Sequence, residues 1–253
     1  LAPLQHQESY DNCGLIIGNE NTNISGVLIS LDCTEQVVAE AIEQQCNLIV
    51  VHHPIIFNGL KKINGSTYVE RTVIMAIKND IAIYAIHTNL DNAQNGVSMK
   101  IAEKLGLSNC TVLSPKSALL RQLVVYCPLS NVAELKSALH NAGAGKISSY
   151  DQCSFVSEGI GFFRANEGAK PFLGEIGEIH EEQEARIEVV FPKYKEKEVI
   201  IAMKKAHPYE VISYQIYQLE NTHGSVGSGV IGDLKEPLKV LAFLERLKVD
   251  MMT

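Results

Sequence analysis

Two stretches of the sequence are the most informative about its structure: LIVVHHP at residues 48–54 and IYAIHTNLD at residues 83–91. Each opens with an apolar run typical of a buried strand and continues directly into histidine or aspartate. In an open α/β sheet, ligands collect beyond the carboxyl ends of neighbouring strands. We therefore expect the histidines and the aspartate of the two stretches to converge on one metal site, with side chains that suit Zn, Mn, Fe or Ni.

Strands and helices alternate around these stretches, between residues 26 and 107. The pattern predicts strands at 27–31, 48–51 and 81–86 and helices at 35–45 and 68–78. Repeated alternation of this kind is typical of a parallel sheet with right-handed crossovers. Because the strands are almost continuously apolar, we expect both faces of this α/β sheet to be covered.

The pattern changes near residue 119. It then predicts a ferredoxin-like βαββαβ unit, with strands at 123–126, 155–164, 185–191 and 211–219 and helices at 132–141 and 195–206. We interpret the chain as a split parallel-sheet core with an inserted α+β domain. Residues 1–118 are the first half of the core, 119–220 the insertion and 221–253 the start of the second half. The glycines at 224–229 predict a flexible join.

The composition is that of an acidic globular protein. The 253 residues are 46% hydrophobic and carry a net charge of −7, without a block of Lys and Arg. This charge argues against nucleic-acid and anionic-membrane partners and favours small molecules or proteins. The sequence has no apolar run as long as a membrane span and no signal pattern at its amino end, so we expect a cytoplasmic protein.

Cysteine spacing and missing catalytic motifs narrow the chemistry. The six cysteines include no C-x-x-C pair, so a metal would have to be bound by histidine and carboxylate. The sequence has no G-x-S-x-G elbow, no Walker phosphate loop and no G-x-G-x-x-G following a predicted strand. Serine hydrolases, NTPases and dehydrogenases are therefore disfavoured.

Three separated blocks carry a family resemblance. They are ESYDNCGL at 8–15, HHP at 52–54 and HTNLD at 87–91. In this order they resemble the signature blocks of the Nif-three-like dinuclear metal-centre proteins, which are often labelled GTP cyclohydrolase 1 type 2 homologues. The middle of the chain, including AHPYE at 206–210, is similar to the long bacterial members, whose inserted domain resembles PII and CutA proteins.

The resemblance implies a set of site residues. By similarity, His52 and His53 are ligands of two divalent metal ions and Asp91 is a third ligand. His87 and Asn89 would support the site through hydrogen bonds without touching the metal. The family completes its site with a His and a Glu, four residues apart, near its carboxyl terminus. This chain has no such block and both its ends look cut, so we expect these ligands beyond Thr253; otherwise the chain binds metal weakly.

The resemblance also implies a function. A two-metal hydrolase acting on a small molecule such as a nucleotide would need no nucleophilic side chain, because the ions lower the pKa of a water and polarise the group attacked. The alternative is a metal-containing regulatory or scaffold oligomer whose PII/CutA-like insertion binds ligands or partners. In either case the family implies a homo-oligomer, expected to be a hexamer.

Each candidate residue has a purely structural interpretation as well. The His52-His53 pair can belong to a turn, and Asp91 can cap the turn that follows it. His87 fits a hydrogen-bonded buried histidine as well as a supporting role at a metal. For Asp11, a turn cap is favoured over a place at the rim of the site.

Overall fold

The computed structural model describes residues 2–252. Its strands and longer helices, in chain order, are β1 (Gly14–Ile17), β2 (Val27–Ser30), α1 (Glu35–Glu43), β3 (Leu48–Val51), α2 (Tyr68–Lys78), β4 (Ala82–Ala85), α3 (Thr88–Asp91), α4 (Val97–Lys104), β5 (Ser108–Pro115), β6 (Leu120–Pro128), α5 (Val132–Asn141), β7 (Phe155–Arg164), β8 (Ile179–Pro192), α6 (Glu196–Ala206), β9 (Tyr214–Leu219), β10 (Gly227–Asp233) and α7 (Val240–Met251). Within the described range, no helix combines the length and apolarity that crossing a membrane requires.

The chain divides into two compact units. One contains the residues up to Pro115 together with those from Ser225 onward, and the other is Lys116–Gly224. The class is mixed α/β, as predicted, with three separate sheets among the described residues. Each unit has a hydrophobic core of its own.

The main sheet of the first unit has the order β1-β4-β3-β2, in which β2, β3 and β4 are parallel neighbours. These are the three predicted strands, and the predicted helices α1 and α2 connect them. Thr34 and Thr67 cap the two helices, because each side chain accepts a hydrogen bond from a backbone N–H of the first turn. The carboxyl ends of the three strands therefore meet at one edge of the sheet.

Two features of this sheet differ from the prediction. β1 adds an antiparallel edge strand beside β4, with Gly14 opposite Ala85, and its four residues were too few to show a pattern. Both faces were expected to be covered, but Ile29 of the outer strand β2 is 81% exposed. α1 and α2 contact each other, and both pack on the face that holds Ile49 and Ile83.

β5 and β10 form a separate two-stranded antiparallel sheet, with Val112 opposite Val230. The prediction of a flexible join at 224–229 was wrong for residues 227–229, which begin β10. A Cβ at Gly227 would lie 2.1 Å from the carbonyl oxygen of Ser114. The glycines that weaken the strand signal here allow the two backbones to approach closely.

The second unit contains a four-stranded antiparallel sheet of order β7-β8-β6-β9. With α5 and α6 this is a ferredoxin-like βαββαβ arrangement. The two helices cover one face, where Leu123 and Phe191 are fully buried together with Leu135 of α5 and Met203 of α6. β8 begins at Ile179, earlier than predicted, because it continues as a two-stranded ribbon with β7 where its side chains are largely polar.

Candidate metal centre

Three histidines meet where two parallel strands end. His52 and His53 directly follow β3, and His87 follows β4 and precedes α3. Their ring centroids are 5.0 Å apart for His52 and His53, 5.1 Å for His52 and His87, and 5.6 Å for His53 and His87. One ring nitrogen of each lies within 4.8 Å of the other two, so this group could hold a metal ion.

Each of the three imidazoles is fixed by a hydrogen bond from its Nδ1 to an oxygen acceptor. The acceptors are the Ile86 carbonyl for His52 (2.9 Å), the Asp32 carboxylate for His53 (2.7 Å) and the Asp11 carboxylate for His87 (2.8 Å). An acceptor at Nδ1 keeps the proton there and leaves the lone pair on Nε2. This is the arrangement that metal-binding histidines usually have, and imidazole nitrogens suit Zn, Mn, Fe or Ni.

The carboxylate of Asp11 organises one side of the cluster. Besides His87, it accepts hydrogen bonds from the Thr88 backbone N–H (3.0 Å), the Thr88 hydroxyl and the Cys13 thiol (3.0 Å). Burial would raise the pKa of this carboxyl, but the hydrogen bonds from His87, Thr88 and Cys13 outweigh it and hold the pKa well below its usual range. A buried negative charge therefore lies directly behind the imidazole of His87.

Asp91 lies beside the free nitrogen of His52. Its Oδ1 is 3.8 Å from His52 Nε2, and about a third of its side chain is exposed. Asp91 ends the short helix α3, which the sequence pattern did not predict. Its predicted role as a metal ligand stays a prediction, and the short distance between its carboxylate and His52 Nε2 favours that role.

The structure places Asn89 on a different side of α3 from Asp91. Its buried amide donates a hydrogen bond to the Ala2 carbonyl (2.7 Å), and the neighbouring Asn92 likewise donates to the His6 carbonyl (2.9 Å). Residues two apart on a helix point about 200° apart around its axis. Asn89 therefore fastens the amino-terminal segment, and its predicted role in supporting the metal stays a prediction.

His87 and Asp11 have more central positions than the sequence analysis gave them. His87 was expected behind the ligands, yet its ring is one of the three in the cluster. Asp11 was interpreted as a turn cap, yet it is the acceptor for His87. The available signal was that Asp11 belongs to one of the three family-like blocks, but contacts between residues 76 apart cannot be derived from local spacing.

Two aromatic side chains form a rim next to the cluster. Phe57 lies edge-on to His87 with ring centroids 6.4 Å apart, and Tyr10 is 6.4 Å from Phe57. Phe57 is 45% exposed and Tyr10 is 65% exposed. The rim was not predicted, and it offers an apolar surface to a flat molecule near the histidines.

Comparisons with known proteins identify the family of the chain. The family model Duf34/NIF3 (NGG1p interacting factor 3) matches residues 1–253. A GTP cyclohydrolase 1 type 2 homolog from Bacillus subtilis (strain 168) is 45% identical over 254 residues, which cover 99% of this chain and 68% of that protein. The homolog of the same name from Halalkalibacterium halodurans is 41% identical over 239 residues, covering 94% and 64%.

Solved structures show the same similarity. A crystal structure of a Bacillus cereus protein related to NIF3 has a TM-score of 0.84 and 41% identity, covering 99% of this chain and 67% of that one. The Staphylococcus aureus protein SA1388 has a TM-score of 0.67 and 31% identity, covering 99% and 65%. This chain thus spans about two thirds of the length of the relatives it matches.

Proposed function

Because the chain belongs to the Duf34/NIF3 family, we propose that it is a metal-dependent hydrolase whose histidine cluster binds two divalent cations. The observation that carries the proposal is the set of three imidazoles, each with Nδ1 held by an oxygen and Nε2 free. Such a set has little structural purpose by itself, since it brings three partly exposed rings together with their polar nitrogens close to one another.

The residues that would hold the cations are His52, His53, His87 and Asp91. The proposal adds His87 to the ligands expected from the sequence, because its ring belongs to the cluster. The cations would be Zn, Mn, Fe or Ni, the ions that imidazole and carboxylate together suit. When bound, they supply Lewis acidity, which lowers the pKa of a water and polarises the group that is attacked.

The protein's own contribution is to fix its histidines before a cation arrives. Asp11 and Asp32 hold the Nδ1 proton of His87 and His53, so that neither ring has to change its protonated nitrogen on binding. A carboxylate behind an imidazole also raises its basicity towards a metal. Because His52 and His53 are adjacent where β3 ends, their rings can serve different cations.

We propose a nucleotide or related small molecule as the substrate. The curated relatives carry the name GTP cyclohydrolase 1 type 2 homolog, and the rim of Tyr10 and Phe57 gives a purine ring a surface on which to stack. Opening such a ring or cleaving a phosphoester both need activated water rather than a nucleophilic side chain.

We further propose that Lys116–Gly224 is an insertion into a core built from the chain on both sides of it, and that the protein assembles as a homohexamer. The division of the chain into two units supports the insertion. The ferredoxin-like unit is also compatible with a second function, that of a regulatory or scaffold oligomer in which the metal is structural. Cation binding without turnover of any nucleotide or phosphoester would favour this second function.

Elemental mass spectrometry of the purified chain tests the metal site. We expect His52→Ala and His87→Ala to lower the ratio of divalent metal to protein, with unchanged circular dichroism. His180→Ala is the matched control, because His180 pairs with Glu182 in the other unit and should leave the ratio unchanged. Equal metal content in the wild type and both cluster variants would contradict the site. Hydrolysis of GTP and of bis(4-nitrophenyl) phosphate, measured on the metal-loaded protein, then decides between the hydrolase and the regulatory oligomer.

A further inference from the structure

The second unit contains a cavity of about 670 Å³ that the histidine cluster does not use. Its lining comes from the face of the sheet opposite α5 and α6, from the segment that joins β7 to β8, and from the segment after α6. This volume lies within the range of small-molecule sites, about 300–1,000 Å³. The cavity is therefore large enough for a ligand with one or two rings.

Two glycines of β7 leave the floor of the cavity without side chains. Gly159 is directly opposite Glu184 of β8, so both residues face the same side of the sheet. A Cβ at Gly159 would meet no atom within 4 Å, and a Cβ at Gly161 would lie 2.2 Å from Glu184 Oε2. The Glu184 carboxylate thus lies over Gly161, next to open space.

Aromatic rings form part of the wall. The ring centroid of Tyr209 is 6.1 Å from that of Phe163 and 6.2 Å from that of Phe172. Tyr209 is held in place from behind, because its backbone N–H donates to Nδ1 of His207 (3.1 Å) while Nε2 of His207 donates to the Tyr126 carbonyl (2.7 Å). The Tyr209 part of the wall is consequently fixed before any ligand binds.

The charged groups of the lining give it an excess of negative charge. Glu184 and Glu210 line the cavity, and among the described residues no Lys or Arg forms an ion pair with them. Arg186, the single cation of the lining, is bonded to Glu188 at 3.0 Å. Glu184 is oriented by the Tyr209 hydroxyl, which donates to its Oε1 (2.9 Å).

We propose that this cavity binds an organic cation, a protonated amine on a flat apolar body, independently of the metal centre. The ammonium group lies against the Glu184 carboxylate, and the apolar body packs against Phe163, Phe172 and Tyr209. A cation is attracted both by a carboxylate and by the faces of aromatic rings, and the combination of the two is what recognises ammonium ligands. Neutral and anionic molecules of the same shape gain only the packing.

Isothermal titration calorimetry of the 253-residue chain with three indoles tests the charge requirement. Tryptamine is the cation, tryptophol replaces its ammonium by a hydroxyl, and indole-3-acetate is the anion. We expect tryptamine to bind, tryptophol to bind about tenfold more weakly and indole-3-acetate to show no heat of binding. Equal affinity for tryptamine and tryptophol, or no binding of tryptamine, would overturn the proposal.

Two variants test the location. Glu184→Gln keeps an acceptor for the Tyr209 hydroxyl and should weaken tryptamine about tenfold. Gly159→Leu puts a side chain into open space on the floor and should abolish binding without changing the melting temperature. Glu198→Gln, an exposed position on α6, is the matched control and should leave the affinity unchanged.

Two results would place the ligand elsewhere. Tryptamine binding that survives Gly159→Leu would mean that the cation does not occupy this cavity. The second result comes from sedimentation velocity. If the wild-type chain forms a dimer that dissociates in the Gly159→Leu variant, a second copy of the chain fills the space. Either result overturns the proposal.

Discussion

Replacing Asp11 by Asn should destabilise the first unit by about 3 kcal/mol. The carboxylate accepts hydrogen bonds on both oxygens, from His87 Nδ1 (2.8 Å) on Oδ1 and from Thr88 and Cys13 on Oδ2. An asparagine can accept on one side only, so its NH₂ group would face either the His87 N–H or the Thr88 N–H. A buried donor without an acceptor costs about 1–3 kcal/mol, and losing a charged acceptor adds about 1–2 kcal/mol.

Urea unfolding followed by circular dichroism measures this cost, with a chelator present so that metal binding does not contribute. For an unfolding slope of about 2 kcal/mol per molar, the midpoint for the first unit should fall by about 1.5 M. Asp32→Asn makes the same chemical change behind His53, but Asp32 is 60% exposed and its pair should contribute under about 1 kcal/mol. Equal shifts for the two variants, or no shift for Asp11→Asn, would contradict this prediction.

Two further predictions concern other parts of the chain. Gly227→Ala should break the β5–β10 ladder and lower the free energy of unfolding by about 3 kcal/mol or more, because its Cβ would meet the Ser114 carbonyl oxygen. Gly224→Ala is the control, since it adds a methyl group to open space. Hydrogen exchange of the β5 amides compares the two variants, and equal protection in both would contradict the prediction. Burial raises the pKa of the Cys33 thiol to about 11, and burial with the nearby Glu184 charge raises that of Cys127 to about 11. Both thiols should therefore resist alkylation at pH 8 and react only as the pH rises towards 11 or the chain unfolds, which peptide mass spectrometry after iodoacetamide treatment can check.

The sequence predicted those elements whose pattern is long and regular. The alternation of β2, β3 and β4 with α1 and α2 was predicted because each element repeats its period over several residues. β1 has four residues, and β10 is rich in glycine, so neither has a side-chain pattern that distinguishes it from a loop. The exposure of Ile29 was missed for a related reason, since an apolar strand looks the same whether one face is covered or both.

At the candidate site, the sequence predicted the residue types but not their orientation. His52, His53 and Asp91 follow strand ends, and strand ends can be found from local pattern. Asn89 and Asp91 lie on different sides of the single-turn helix α3, a difference in orientation that the four-residue pattern does not reveal. The partnership of Asp11 with His87 depends on β1 lying next to β4, a tertiary fact without a local signal.

The bonds between the amino-terminal segment and the residues after β4 also set the order in which the site can assemble. Asp11 meets His87, which is 76 residues further along the chain, and Ala2 meets Asn89, which is 87 residues further along. At a synthesis rate of about 5–20 residues per second, Asp11 is made roughly 4–15 seconds before its partner. During synthesis, the segment that holds Ala2 and Asp11 is thus made well before its partners after β4, and the cluster takes shape only when this segment closes behind it.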